Sequence, residues 1–299
     1  MPIDAETQLV TLLGDPVEHS LSPLLHNTAF EAQEINAAYV ATRVAADALP
    51  AAVEGLRAMR FLGANVTIPH KQAVQRLLDD VTPRAEAVGA VNTIVCEAPP
   101  AGPPRLCGDN TDVTGFLAPL QPHADRLQDA EVLLFGAGGA ARAVVYALLT
   151  EYAPSRLTLA VRTPSKAEPL VLDMMAHTAA AQLEVVPIDE AGPALRASTL
   201  VVNATPLGMH PDVDRTPWPD ADDFAETQIV YDLVYNPTTT RLLREAEARG
   251  ATPIGGLDML IGQAAAAYAQ WTDRPMPEDA VRQALHAHGV LIDGATSHS

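Results

Sequence analysis

Residues 131–151, EVLLFGAGGAARAVVYALLTE, constrain the fold of this chain more than any other stretch. The apolar run VLLF predicts a buried strand, the glycines after it predict a turn, and an apolar helical segment follows at once. Gly136 would permit the tight turn, Gly138 would let the backbone approach a ligand, and Ala141 would let the helix pack closely on the strand. This G-x-G-x-x-A pattern in its strand–turn–helix context favours a dinucleotide pyrophosphate at the helix N-terminus. A glycine turn without a ligand is the alternative.

The neighbouring segments alternate in the same way. The runs RLTLAVRT, LEVVPI, STLVVNAT and TQIVYDLVY predict further strands of a parallel, doubly wound sheet. Before about residue 112, the runs QLVTLLG, AAYVATRV and GANVTI predict strands between helices, and GAVNTIVCEA and RLCGDNT predict the arms of a hairpin. We expect Ser22 to cap the first helix, with Pro23 at its first position, and another helix to begin at Pro69. A length of 299 residues fits two α/β domains.

The end of the second strand of the predicted nucleotide domain indicates which dinucleotide binds. NAD sites usually carry an acidic residue there for the ribose 2′-hydroxyl. Here LTLAV is followed by Arg162, Thr163 and, after two more residues, Lys166. A guanidinium can pair with a 2′-phosphate through two parallel hydrogen bonds. We therefore expect NADP, although both cations could also be solvated loop residues.

Composition excludes several partners. The formal net charge of −18 argues against nucleic acid and against anionic membranes. Either a high-salt host or a GC-rich genome would explain the acidity and the scarcity of lysine. No apolar run reaches the length of a membrane span, and the N-terminus lacks a signal pattern, so we expect a cytoplasmic protein. Cys96 and Cys107 are expected to be free thiols, and their spacing makes no metal site.

Lysine occurs only as Lys71 and Lys166, beside 17 arginines. Arginine stays protonated, whereas lysine can release its proton in a suitable site. Lys71, in ANVTIPHKQA, is therefore a candidate for proton exchange, and a solvated surface lysine is the alternative. His19 and His70 lie beside the same motifs, and we interpret both, like His26, as structural.

Seven segments in order resemble the shikimate dehydrogenase family: HSLSP, GANVTIPHK, GAVNTI, GDNTD, GAGGAARA, NATPLGM and GGLDMLIGQA. The resemblance runs from about Gly14 to Ala264. It implies NADP-linked, reversible reduction of 3-dehydroshikimate to shikimate, a step in aromatic amino-acid synthesis, by a monomer or homodimer. It also implies a mixed α/β substrate domain, residues 1–112 with 257–299, and a Rossmann-like NADP domain, residues 113–256, with the active site in the cleft between them.

The resemblance also implies roles for individual residues. Lys71 would exchange the proton, positioned by Asp112, and Asn65 would support the loop before Lys71. The substrate contacts would be Ser20, Ser22, Thr67, Asn92, Asp112, Tyr235 and Gln263. The cofactor contacts would be Gly136, Ala137, Gly138, Gly139, Ala140, Ala141, Arg162, Thr163 and Lys166, with Asn203, Thr205 and Met259 lining the nicotinamide pocket. Hydroxyl donors such as those of Ser20 and Ser22 suit a substrate carboxylate.

Two rival functions follow from variation within the resemblance. A quinate/shikimate dehydrogenase that uses NAD is the first, but Ser22, where quinate-specific relatives can carry threonine, and the cations after the second strand count against it. A non-catalytic ligand sensor is the second, but such proteins tend to lose the lysine or the aspartate, and Lys71 and Asp112 are both present. Many members have Asn-Arg-Thr where this chain has Val161, Arg162 and Thr163, so weaker selectivity for NADP is expected.

Overall fold

A computed structural model describes residues 3–97, 102–177 and 182–290. The chain divides into two compact units. Unit one holds the described residues up to Thr111 together with those from Gln263 onward, and unit two is Asp112–Gly262. The first boundary lies one residue from the predicted one, and the second boundary lies six residues from the predicted one. The second boundary falls inside the helix Gly256–Thr272. The roles predicted for the two domains stay predictions.

Unit one is built on a mixed six-stranded sheet. Its strands are β1 (Gln8–Gly14), β2 (Ala37–Arg43), β3 (Gly63–Val66), β4 (Asp80–Val81), β5 (Thr93–Glu97) and β6 (Arg105–Asp109), in the order β2-β1-β3-β5-β6-β4. Its helices include α1 (Ser22–Ala32), α2 (Leu49–Ala58) and α3 (Pro83–Val88). β1 pairs in parallel with β2 and β3, whereas β5 pairs antiparallel with β3 and β6. The predicted hairpin is therefore present as β5 and β6, and residues 98–101 of its proline-rich turn lie outside the described part.

Two local predictions in unit one are wrong. Ser22 is the first residue of α1 and makes no capping bond with its side chain, because its hydroxyl is hydrogen-bonded to Tyr39. No α-helix begins at Pro69; a short 3₁₀ helix follows at Ala73–Leu77. The reason is that the Lys71 carbonyl accepts a hydrogen bond from the backbone N–H of Val91 at 2.7 Å, so it is not used inside a helix.

Unit two contains a parallel six-stranded sheet. Its strands are β7 (Glu131–Phe135), β8 (Arg156–Val161), β9 (Gln182–Pro187), β10 (Leu200–Asn203), β11 (Ile229–Asp232) and β12 (Thr252–Gly255). Its helices are α4 (Asp112–Leu117), α5 (Ala124–Leu127), α6 (Gly139–Glu151), α7 (Glu168–Met174), α8 (Gly192–Ala197) and α9 (Arg241–Glu247). Read from β9 to β12, the spatial order is 3-2-1-4-5-6 in sequence terms, the doubly wound order of dinucleotide-binding domains. The predicted α/β class, with a mixed N-terminal sheet and a Rossmann-like sheet, is confirmed.

The last two helices are α10 (Gly256–Thr272) and α11 (Glu278–Ala287). The unit boundary falls within α10, and α11 packs on α1 in unit one. Burying the apolar faces of both sheets leaves the polar ends of their strands available for a site, because ligands of open α/β sheets bind beyond the strand ends. None of the helices described is both long and apolar enough to cross a membrane.

Candidate active site

The carboxyl end of β1 fixes the segment that carries Thr67. The Thr67 backbone N–H donates to the Leu13 carbonyl at 2.9 Å, and the N–H of Asp15 donates to the Ile68 carbonyl at 2.9 Å. A Cβ at Gly14 would lie 2.2 Å from Thr67 Cγ2, a distance that real Cβ atoms do not show. Only a glycine therefore lets the two segments come this close.

Lys71 lies on a turn whose main chain is held on both sides. His70 is buried and its backbone N–H donates to the Thr67 carbonyl at 2.9 Å. The His70 ring contacts the Val44 carbonyl through Nε2 at 2.7 Å; because a carbonyl only accepts, Nε2 carries the proton. The Lys71 carbonyl accepts from Val91, and its side chain is half-buried. His70 thus holds the turn, as its structural interpretation predicts, and a half-buried lysine follows it.

A buried polar network surrounds Asn92, the residue directly before β5. Asn92 Oδ1 accepts from the backbone N–H of Thr111 at 2.7 Å, and Asn92 Nδ2 donates to Thr111 Oγ1 at 3.0 Å. Asn65 Nδ2 donates to the Asn92 carbonyl at 3.1 Å. Tyr39 donates from its hydroxyl to Asn65 Oδ1 at 2.8 Å. Asn65, on β3, therefore supports Asn92, which directly precedes the neighbouring strand β5. Its support of the loop before Lys71 stays a prediction.

The two serines of HSLSP lie together at the start of α1. Ser20 Oγ accepts from the backbone N–H of Ser22 at 3.2 Å. Ser22 is buried and Ser20 is half-buried. A pair of neighbouring hydroxyl groups with these burials can bind a carboxylate without bringing in a second fixed charge.

The end of β6 is anchored by an ion pair just before Asp112. Asp109 is buried, accepts from Thr82 Oγ1 at 2.6 Å and from Gln270 Nε2 at 2.7 Å, and pairs with Arg84. Burial raises the pKa of the Asp109 carboxyl, but the hydrogen bonds from Arg84 and Thr82 and the charge of Arg84 together lower it below its ordinary value. The carboxylate therefore stays ionised and fixes the strand end from which Asp112, a buried residue, begins α4.

The glycine loop after β7 has the geometry of a phosphate cradle. Gly136 has φ +107°, a conformation that favours glycine, and a Cβ there would contact Thr205 Cγ2 at 3.1 Å. Gly138 is exposed, and a Cβ built on it would meet nothing within 4 Å. Ala141 is fully buried inside α6, where the helix packs on the sheet. The 13-residue helix α6 thus begins next to Gly138, beside open space. The neighbouring residues Ala137, Gly139 and Ala140 are half-buried.

The cations predicted for the 2′-phosphate follow β8, which pairs with β7. Arg162, Thr163 and Lys166 are all exposed, and Pro164–Lys166 form a 3₁₀ turn. Within the described ranges, neither Arg162 nor Lys166 has an ion-pair partner. By contrast, Arg142, which follows the glycine loop closely in sequence, pairs with Asp173. Two cations next to the glycine-loop strand, unneutralised by the described carboxylates, suit an additional phosphate. The residues present therefore fit NADP.

Two loops at the carboxyl ends of β10 and β11 are joined by one buried carboxylate. Asp232 accepts from Asn203 Nδ2 at 2.9 Å, from the backbone N–H of Val234 at 3.0 Å and from Thr240 Oγ1 at 2.6 Å. Burial raises the pKa of Asp232 to about 6. Asn203 Oδ1 in turn accepts from the hydroxyl of Thr205 at 2.6 Å. The Asn203 side chain is thus engaged in shaping its own loop.

The remaining predicted contacts lie on the second loop and on α10. Tyr235 is half-buried, and burial raises the pKa of its phenol. Met259 is buried on the first turns of α10, and Gln263 is half-buried one turn further along. Among the residues with described positions, no group of three or more His, Cys, Asp or Glu could hold a metal ion. Cys96 and Cys107 are free thiols, and neither is the other's partner in the β5–β6 register.

Comparison with known proteins decides the family. Residues 12–94 match the shikimate dehydrogenase substrate binding domain, and residues 256–286 match the shikimate 5'-dehydrogenase C-terminal domain. A shikimate dehydrogenase (NADP(+)) of Salinibacter ruber is 63% identical over 96% of this chain and 100% of that protein. The chain belongs to the shikimate dehydrogenase family.

Solved structures of the family share the fold. A shikimate dehydrogenase in complex with NADP+ superposes with a TM-score of 0.87 at 36% identity, covering 96% of this chain and 97% of that one. The Thermus thermophilus enzyme in complex with NADP(H) and shikimate gives 0.80 at 37% identity, covering 95% and 100%. A quinate dehydrogenase from Corynebacterium glutamicum in complex with NAD gives 0.85 at 30% identity, covering 94% and 99%. The shikimate dehydrogenase fold therefore does not by itself fix substrate or cofactor.

Sequence reasoning missed the buried residues that hold these shikimate dehydrogenase motifs in place. Tyr39, Asp232 and the Arg84–Asp109 pair are the main ones. The sequence does contain a signal for Asp232: it is an acidic residue at the end of the apolar strand IVYD, and a buried acidic residue must find hydrogen-bond partners. The sequence contains no such signal for Tyr39, because tyrosine is an ordinary residue in strands.

Proposed function

We propose that this protein is an NADP-dependent shikimate dehydrogenase that reversibly reduces 3-dehydroshikimate to shikimate. The full-length identity with the Salinibacter ruber enzyme carries the proposal. The open glycine loop before α6 and the cations after β8 support NADP as the cofactor. An enzyme of this kind belongs to the shikimate pathway, which leads to chorismate and the aromatic amino acids.

We assign the proton transfer to Lys71. The cofactor, when bound, would supply a hydride as NADPH for the reduction and accept one as NADP+ in the oxidation. As the carbonyl of 3-dehydroshikimate is reduced, negative charge builds on its oxygen, and the Lys71 ammonium would stabilise that charge and donate the proton. In the reverse reaction the neutral amine would accept the proton from the shikimate hydroxyl. Hydrogen bonds to its main chain hold the turn that carries Lys71, which favours a fixed position for its amine.

The substrate contacts divide by chemistry. Ser20 and Ser22 would donate to the carboxylate of shikimate, Ser22 by turning its hydroxyl proton away from the Tyr39 oxygen, and Thr67 and Asn92 would bind hydroxyl groups. The Asp112 carboxylate would accept a hydrogen bond from a substrate hydroxyl near the reacting carbon. Tyr235 and Gln263 would complete the binding of the substrate, and Thr205 and Met259 would contact the nicotinamide. A monomer or homodimer in the cytoplasm remains the expectation for its assembly and location.

One panel of rates tests the function. The purified protein is given shikimate or quinate with NADP or NAD, and reduction of the nicotinamide is followed by absorbance. We expect kcat/KM to be highest for shikimate with NADP. In Arg162→Ala, the KM for NADP should rise much more than that for NAD, because only NADP has the 2′-phosphate.

Other outcomes of the panel point elsewhere. Comparable rates with quinate and NAD would show a quinate/shikimate dehydrogenase, and equal effects of Arg162→Ala on the two cofactors would contradict its assigned role. Ligand binding without turnover would favour a sensor, although the presence of Lys71 and Asp112 argues against this.

A further inference from the structure

Tyr39 lies on β2 and is held by contacts on its ring and its backbone. Its ring stacks on His26, with ring centroids 4.5 Å apart and planes within 9° of parallel. The Asn27 side chain donates to the Tyr39 carbonyl at 2.9 Å and accepts from the Tyr39 N–H at 2.8 Å. The Tyr39 side chain is 2% exposed. The phenol hydroxyl therefore occupies one fixed position in the interior.

The direction of the hydrogen bond from Tyr39 follows from its partner. Asn65 Nδ2 lies 3.1 Å from the Asn92 carbonyl oxygen, and a carbonyl can only accept. The amide nitrogen of Asn65 must therefore face Asn92, so its oxygen faces Tyr39. The Tyr39 hydroxyl donates to that oxygen at 2.8 Å.

The network continues from Asn65 to the side chain of Asn92. Asn65 Nδ2 also donates to Thr93 Oγ1 at 3.2 Å, and Thr93 Oγ1 donates to Asn92 Oδ1 at 3.0 Å. The Thr111 N–H donates to the same Oδ1 at 2.7 Å. The Thr111 hydroxyl lies 3.2 Å from this oxygen as well. These donors fix the oxygen of the Asn92 amide, and a substrate hydroxyl would meet Asn92 through its NH₂ group.

We propose that Tyr39 is a positioning residue for shikimate binding, an inference that rests on the proposed function. Its hydroxyl fixes the Asn65 amide and, through Asn65 and Thr93, the orientation in which Asn92 donates to a substrate hydroxyl. All four side chains are buried, so a missing donor cannot be replaced by bulk water.

A second route from Tyr39 to the substrate must be separated from this one. Ser22 is hydrogen-bonded to the Tyr39 oxygen, and because the Tyr39 proton is on Asn65, Ser22 is the donor. Loss of the Tyr39 hydroxyl could therefore act on the carboxylate through Ser22. The proposal places the effect on Asn92 instead.

The first test is Tyr39→Phe, which removes the hydroxyl and keeps the ring stacked on His26. We expect the KM for shikimate to rise about tenfold, because a buried acceptor on Asn65 loses its donor. The KM for NADP should stay within about twofold. Tyr268→Phe is the matched control: Tyr268 is buried in the same aromatic cluster, but its hydroxyl donates to Gln33 Oε1 at 3.0 Å. It should leave the KM for shikimate unchanged.

A double-mutant cycle tests the route. In an Asn92→Ala background, Tyr39→Phe should cause no further loss in kcat/KM for shikimate. In a Ser22→Ala background, it should still cause the full loss. A loss that persists without Asn92, or that disappears without Ser22, would overturn the proposal.

The remaining outcomes are also decisive. If the two variants Tyr39→Phe and Tyr268→Phe have the same KM for shikimate, and the wild-type protein oxidises shikimate with NADP, the inference is wrong and the function stands. If the wild-type protein oxidises no shikimate, the proposed function is wrong and the inference falls with it. If circular dichroism shows that Tyr39→Phe is unfolded, Thr93→Val removes the next hydroxyl in the network. An unchanged shikimate KM in that variant would overturn the proposal.

Discussion

Lys71 is the residue on which the proposed chemistry depends. Lys71→Met keeps an unbranched side chain of similar size and removes the ammonium, so we expect kcat to fall by about two to four orders of magnitude, with a much smaller change in KM. Lys71→Arg is the matched variant: it keeps the positive charge but cannot release a proton, and kcat should stay low. Steady-state rates with shikimate and NADP measure both. A kcat within about threefold of wild type in Lys71→Met would exclude the assigned role.

Single residues also show what sequence reasoning reached. Lys71 was a candidate because lysine is rare in this chain and because its motif is specific. Tyr39 was not a candidate, because its role depends on Asn65, which is 26 residues away in sequence. A local pattern identifies a residue whose chemical type is unusual for its position. It does not identify a common residue whose importance comes from a distant partner.

At the scale of strands and helices, Asp232 joins the loops that follow β10 and β11. Its pKa is raised by burial to about 6 in the folded protein, against an ordinary value of 3.8. Between these values the folded state binds more protons than the unfolded state, so stability falls as pH rises from about 4 to 6. For one group this amounts to about 1.4 kcal/mol per pH unit.

Asp232→Asn should lack this pH dependence. The free energy of unfolding of wild type relative to the variant should fall by about 2 kcal/mol between pH 4 and 6 and change little above pH 6. Urea unfolding at several pH values measures this difference, and Glu226→Gln, a change on the exposed surface of the same unit, serves as the control. A constant difference across pH 4 to 8 would contradict a raised pKa for Asp232.

Elements with strong periodicity were predicted, whereas those defined by tertiary contacts were not. Apolar runs predicted the strand before the glycine loop and those that follow it, and the alternation of strands with helices predicted a parallel sheet. The helix predicted from Pro69 is replaced by a turn, because the Lys71 carbonyl bonds Val91, which lies 20 residues away. β12 was missed because it has four residues and contains Pro253, which only an edge strand tolerates.

At the scale of the whole molecule, charge is the dominant feature. The chain has 37 acidic and 19 basic residues, and several arginines pair with carboxylates, as in Arg43–Asp15 and Arg196–Asp223. Both proposed ligands are anions and must approach a protein of net charge −18. Local cations such as Arg162 and Lys166 would offset this repulsion where the 2′-phosphate of NADP binds.

The same excess of carboxylates predicts how stability depends on salt. Like charges on the folded surface repel each other, and the screening length falls from about 10 Å at 0.1 M salt to about 3 Å at 1 M. We therefore expect the urea midpoint of unfolding to rise between 0.05 and 1 M KCl, most steeply at the low end. Sucrose is the control, because it favours the compact state without screening charge. A midpoint that falls or stays constant in KCl would contradict net repulsion. Rates in the same series separate the two origins of the acidity, because an activity optimum at low salt would exclude adaptation to a high-salt host.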